Sequence, residues 1–269
     1  MAQTAEQTVG EGTAAASELA EIEHAEQAHG PLEQFEIKAL TGAEGDQLQF
    51  YHFTNSSLFM VIGLALVAGI LLLGMRRGHL VPTRLQSVAE ISYEFIANMI
   101  RDNVGHEGRK YFPFIFTLFM FVFAGNMLGM LPYSFTYTSH IVVTFAMAAV
   151  VFIGVTAIGF AKHGLHFFSF FLPAGVPVFL APLLIPIEVL SYFTRPVSLA
   201  LRLFANMTAG HTMLKVFAGF IAPLGIVGGI VPLALVAGLT GLELIIAFLQ
   251  AYVFTILSCV YLNDALHLH

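Results

Sequence analysis

Long apolar stretches alternate with short polar clusters along this chain, and their lengths set the predicted elements. Gln47 to Met75 contains no Asp, Glu, Lys or Arg, and neither does Tyr111 to Ala161. A hydrocarbon core about 30 Å thick is crossed by about 20 residues of helix. The first stretch therefore holds one span, around Leu58–Met75. The second holds two, at 112–131 and 140–161, with Leu131-Pro132-Tyr133-Ser134 as the turn between them.

The last hundred residues behave differently. A helical pattern over 178–220 covers about 43 residues, or about 60 Å at 1.5 Å per residue. A second, over 233–262, would run about 45 Å. Neither fits upright in the membrane. Pro182, Pro186 and Pro196 offer bends in the first, and Gly225, Gly228, Gly229 and Pro232 a turn between the two. The expected fold class is an all-α polytopic membrane protein. It has upright spans, an amphipathic inner-surface helix and a long, strongly tilted C-terminal helical hairpin. Four regions follow: 1–50, 51–110, 111–162 and 163–269.

Charge fixes an expected orientation. Ten of the 17 acidic residues lie in the first 50 positions, opposed there only by Lys38. This head has no apolar run, so it does not read as a secretory signal peptide; residues 16–29 read as a short polar helix. Six of the 11 Lys and Arg fall between Arg76 and Lys110. Basic loops stay inside, which puts the N-terminus outside and, by parity over five spans, the C-terminus on the cytoplasmic side. Residues 82–100 mix charge with apolar positions 88, 91, 95, 96 and 99 and read as an amphipathic helix at the inner surface.

Composition narrows the function classes. Only 10% of the 269 residues are charged and 57% are hydrophobic, against about 25% charged in soluble domains, so a single-domain soluble enzyme is excluded. The net charge of −6 argues against a nucleic-acid partner. The single cysteine, Cys259, leaves no cysteine metal site. No cofactor or metal is expected. His163, His166, His267 and His269 have metal-like spacings without partners and read as interfacial histidines.

Charges inside the hairpin carry the candidate chemistry. From His163 to Asn263 only Glu188, Arg195, Arg202, Lys215 and Glu243 are charged, and a central Arg or Asp costs about 2.5–3.5 kcal/mol to insert. At 100° per residue, Glu188, Arg195, Arg202 and Asn206 share one stripe, with Ser191 and Ser198 near its edges. His211 lies about 180° from Arg202 on an ideal helix. Glu243 and Gln250, seven apart, share a face of the last helix. Three of these positions leave alternatives open. Glu188 serves as a proton-bearing carboxylate or as a partner of Arg195. Lys215 lines a path, pairs with Glu243 or snorkels outward. His211 relays protons or only packs. Asn126 is open between a functional and a packing role, and Gly125 and Gly129 form a close-packing GxxxG.

The run Arg195-Pro-Val-Ser-Leu-Ala-Leu-Arg-Leu-Phe-Ala-Asn-Met-Thr-Ala-Gly-His211 resembles the signature of the a subunits of F-type ATP synthases, in the alphaproteobacterial and mitochondrial form. Glu243 and Gln250, followed by Tyr252-Val253-Phe254, are similar to the last helix of the same family. The resemblance covers about residues 31–265. It implies a stator that faces a ring of c subunits and is held by peripheral-stalk b-type subunits in a bacterial inner membrane. It also implies two offset aqueous half-channels. Arg202 separates them, and a guanidinium keeps its charge in proteins. Asn206, His211, Glu243 and Gln250 would line the outer one, and Glu188, Ser191, Thr194, Arg195 and Ser198 the inner one. In some relatives the acid and the imidazole sit on opposite helices, which implies contact between positions 211 and 243. No Walker loop is present, so no nucleotide site is expected.

Two other classes compete. An autonomous channel or secondary transporter also keeps buried charges, but its usual inverted repeat is missing. A structural membrane scaffold leaves Arg202, Glu243 and Glu188 as costly charges without use.

Overall fold

A computed structural model describes residues 35–37, 53–76, 82–131, 134–171 and 178–267. The chain divides into two compact units, Met1–Glu36 and Ile37–His269, and the long helices of the described residues lie in the second. The expected polar helix at 16–29 lies outside the described residues.

Among the described residues, six helices of three turns or more follow in order: α1 (Asn55–Met75), α2 (Arg84–Asn103), α3 (Phe112–Gly129), α4 (Ile141–His163), α5 (Ala181–Gly219) and α6 (Ile230–Leu266). Five segments of the described residues are long and apolar enough to cross a membrane: α1, His106–Gly129, α4, α5 and α6. The expected spans differ from these only at their ends. α5 is 39 residues and α6 is 37, so α6 extends the expected 233–262 at both ends. Capping locates two of the starts: Thr54 Oγ1 accepts from Ser57 N and Thr83 Oγ1 from Gln86 N. α5 continues through Pro186 and Pro196. Beside Pro196, Thr194 donates to Ser191 O and Ser198 to Arg195 O. Between α5 and α6 the chain turns at Gly225, whose φ of +68° favours glycine.

α6 is the central element, in contact with α2, α3, α4 and α5. Its buried positions recur every three or four residues: Glu243, Ala247, Gln250, Phe254, Ser258 and Leu262. Small residues on this face, among them Ala247, Ala251 and Cys259, let backbones approach where no aqueous hydrophobic effect drives helices together. The outward faces stay apolar and exposed, as in Leu72, Val142 and Leu190, which suits lipid as solvent.

The amphipathic helix expected over 82–100 is α2. Ile96, Met99 and Ile100 of α2 enter the core, while Val88 and Ile91 remain exposed. Phe95 explains the register, because its ring meets those of Phe119, Phe248 and Tyr252. α2 thus packs one face on the bundle and leaves a second apolar face uncovered by this chain. At the same end, Lys162 Nζ pairs with Glu107 Oε2, joining the end of α4 to the segment before α3.

Candidate functional site

The C-terminal hairpin brings three polar pairs together across α5 and α6. Nδ1 of His211 stands 3.0 Å from Oε1 of Glu243. Both side chains are buried, with His211 7% and Glu243 3% exposed. The approach is of ion-pair length but lacks the alignment of a hydrogen bond, and neither Glu243 oxygen has a hydrogen-bond partner among the described residues. Five residues before His211 on α5 and seven after Glu243 on α6, Asn206 Nδ2 donates to Gln250 Oε1 at 2.8 Å, while Gln250 Nε2 is buried without a partner among the described residues. An unsatisfied buried polar group costs about 1–3 kcal/mol. Three such atoms suit sites that exchange protons or bind water.

Gly210 makes room for the pair. A Cβ built there would lie 2.6 Å from Glu243 Oε1. Gly210→Ala is therefore expected to push the carboxylate off His211 at an overpacking cost of about 1–3 kcal/mol. Proton-driven ATP synthesis in membrane vesicles should fall several-fold with the complex still assembled; unchanged synthesis would show that this spacing does not matter.

The described residues between α3 and α4 pack into the bundle. Phe135 to Ser139 are all buried. Gly125 and Gly129 accept this segment, not another helix: a Cβ at Gly125 would overlap the Tyr137 ring, and one at Gly129 the Thr136 side chain. Tyr137 donates to Phe121 O, Thr138 to Asn126 Oδ1 and Thr208 of α5 to Ser139 O. Asn126, fully buried, also donates from Nδ2 to Ala247 O. Both ends of its amide are thus used to tie α3 and the loop to α6, which favours the packing role over the functional one. Thr136 Oγ1 meets His211 Nε2 at 3.0 Å. Burial holds the imidazole of His140, at the end of this segment, below its usual range.

Arg202 lies on the other side of α5. It is exposed on this chain and, among the described residues, has no ion-pair or hydrogen-bond partner. Leu199, Leu203 and Met207 beside it are buried, so its direction follows from which face of α5 enters the core. Ser198, Ala205 and Ala209 are exposed on the Arg202 side, leaving a shallow track around it.

Toward the N-terminal half of α5, Arg195 Nη1 donates to Asp264 Oδ2 at 2.9 Å. Its guanidinium also lies over the rings of Tyr192 and Tyr261, at 5.6 and 5.2 Å. Among the described residues the ion pair of Arg195 runs across to Asp264 of α6. Glu188 is half-buried, and Ser191 and Ser198 are exposed. Lys215 is exposed and not paired with Glu243 among the described residues. Sequence reasoning missed Asp264, Thr136 and Thr208. Asp264 was discoverable as the last acid of the chain, one residue past the stretch treated as nearly uncharged.

Five candidate spans and a buried acid–imidazole pair inside a long helical hairpin define a multi-pass membrane protein with internal polar chemistry. Comparison with known proteins gives the particular family. Residues 57–263 match the family described as ATP synthase A chain. ATP synthase subunit a of Rhodospirillum rubrum is 61% identical over 241 residues, covering 90% of this chain and 100% of the relative. That of Paramagnetospirillum magneticum is 58% identical, covering 89% and 99%, and that of Pelagibacter ubique 53%, covering 90% and 99%. The chain belongs to the ATP synthase subunit a family of the Fo membrane sector.

Proposed function

We propose that this chain is the proton-conducting stator of an F-type ATP synthase, coupling proton flow to rotation of a c-ring through two offset half-channels. The observation that carries the reading is the separation across α5: a buried His211–Glu243 pair on one side and, on the other, an exposed Arg202 with no ion-pair partner among the described residues. Protons from outside would pass Asn206, Gln250, His211 and Glu243 to a ring carboxylate. After rotation they would leave inward past Glu188, Ser191 and Ser198. Arg195, held by Asp264, would supply fixed positive charge beside that exit. Arg202 would hold the ionised ring acid between release and reloading. The small exposed residues around it would let a ring helix come close.

Helix length supports the slanted hairpin. The 39 residues of α5 run about 58 Å. Even at a tilt of about 40°, the upper end of the usual range, they would rise about 45 Å through a core of about 30 Å. A steeply inclined hairpin uses that length to follow the curved flank of a rotor. The basic cluster from Arg76 to Lys110 supports an orientation with the N-terminus outside and the C-terminus cytoplasmic, in a bacterial inner membrane. The chain itself is non-catalytic in this reading and binds no nucleotide.

Purification from native membranes in mild detergent, with the tag on this chain, tests the assignment. The c-ring and b-type stalk subunits should accompany it, and the chain reconstituted alone should not conduct protons. Autonomous proton flux from the isolated chain would instead favour a transporter.

A further inference from the structure

We infer that Thr136 is a positioning residue for proton entry: its hydroxyl holds Nε2 of His211 and so keeps Nδ1 beside Glu243. This rests on the proton path proposed above, in which no residue of the loop before α4 takes part. The geometry is a three-group line. Thr136 Oγ1 lies 3.0 Å from His211 Nε2, and His211 Nδ1 lies 3.0 Å from Glu243 Oε1. All three side chains are buried.

The loop that presents Thr136 is fixed from several directions. Gly129 has no Cβ, and any Cβ there would overlap the Thr136 side chain. Tyr137 is anchored on Phe121 O and Thr138 on Asn126. Thr208, three residues before His211 on the same helix, donates to Ser139 O. The hydroxyl and the imidazole are thus set on two elements pinned to each other, so their spacing does not depend on one flexible side chain.

Chemistry favours a hydroxyl at this place. With hydrogen on Nε2, donated to the Thr136 hydroxyl oxygen, Nδ1 can take a proton from a protonated Glu243, giving the imidazolium, and return it by the same nitrogen. Nε2 keeps its hydrogen in both states, so the Thr136 oxygen accepts throughout and fixes which nitrogen faces Glu243. No proton is gained or lost by Thr136 itself. A valine of the same shape would leave Nε2 without that partner.

The test uses the intact complex in inverted membrane vesicles, comparing Thr136→Val, Thr136→Ala and Thr136→Ser with Glu243→Gln. Thr136→Val should lower proton-driven ATP synthesis about tenfold, less than the about 100-fold at which general acid–base contributions begin, with the amount of assembled complex unchanged. Thr136→Ser should recover at least about half of the wild-type rate, since the hydroxyl's donor and acceptor capacity is kept. Wild-type synthesis in Thr136→Val beside a severe loss in Glu243→Gln would overturn this inference and leave the proton path standing. Wild-type synthesis in Glu243→Gln would instead remove the path and the inference together. Serine failing as badly as valine, or failure of both apolar variants to assemble, would assign Thr136 to packing and overturn the role stated here.

Discussion

Arg202→Ala is expected to abolish potential-driven ATP synthesis while the complex still assembles. The structure supplies both halves of that expectation. Arg202 is exposed on this chain and bonded to nothing within it among the described residues, so its removal leaves no orphaned partner and no cavity in the bundle. Its use, in the proposed mechanism, is entirely toward the ring. Two unit charges about 4 Å apart attract by about 4 kcal/mol at an effective dielectric of about 20, equivalent to about three pKa units on a ring carboxylate. Without that charge the acid keeps its proton in apolar surroundings, and the release step stalls. The driving force cannot compensate, because one proton crossing 100 mV supplies only about 2.3 kcal/mol. Lysine should restore little: an ammonium can lose its proton when desolvated, and it lacks the planar fork that meets a carboxylate with two bonds. Synthesis rate per assembled complex, measured in energised vesicles, decides the matter, and a substantial rate in the alanine variant would end the assignment of Arg202 as separator.

The second large effect concerns the buried pair. Glu243→Gln should slow proton entry by about 100-fold, the lower end of what a positioned acid–base group contributes. Glutamine keeps the shape of the side chain but cannot take up and release a proton. His211→Gln should cost less, because an amide in that place can still hydrogen-bond toward Glu243 and toward the Thr136 hydroxyl 3.0 Å from the native ring. Passive proton flux through the membrane sector, after the catalytic head is stripped away, separates the two variants. Similar, negligible losses in both would take the pair out of the path.

The pairing also shows why a helical wheel reaches only part of this site. An ideal wheel puts His211 opposite Arg202, and the structure has one buried and the other exposed. That much depends on one helix with regular geometry. Arg195 shows the limit. On the wheel Glu188 is its natural partner on the same face, yet it bonds Asp264 of α6. Which acid meets it depends on where two helices of 39 and 37 residues end against each other, and no single-helix periodicity contains that register. Gly125 and Gly129 make the same point. Their spacing announces a close approach, but the visitor is Tyr137 and Thr136 of the following loop.

Hydropathy and charge alone determined the five apolar spans, the amphipathic helix near the basic cluster, the long final hairpin and its interior charges. Each of these is a local property, because a bilayer tests every segment for length and apolarity independently. The distinctive run from Arg195 to His211 added the family. Tertiary structure alone decided that the loop after α3 returns into the bundle, that Thr136 touches His211, that Asp264 holds Arg195 and that Asn126 is spent on Thr138 and the Ala247 carbonyl. Those contacts join residues far apart in the chain. They exist because buried polar groups in lipid must find partners within the protein, and only the packed arrangement of helices says which partners are near.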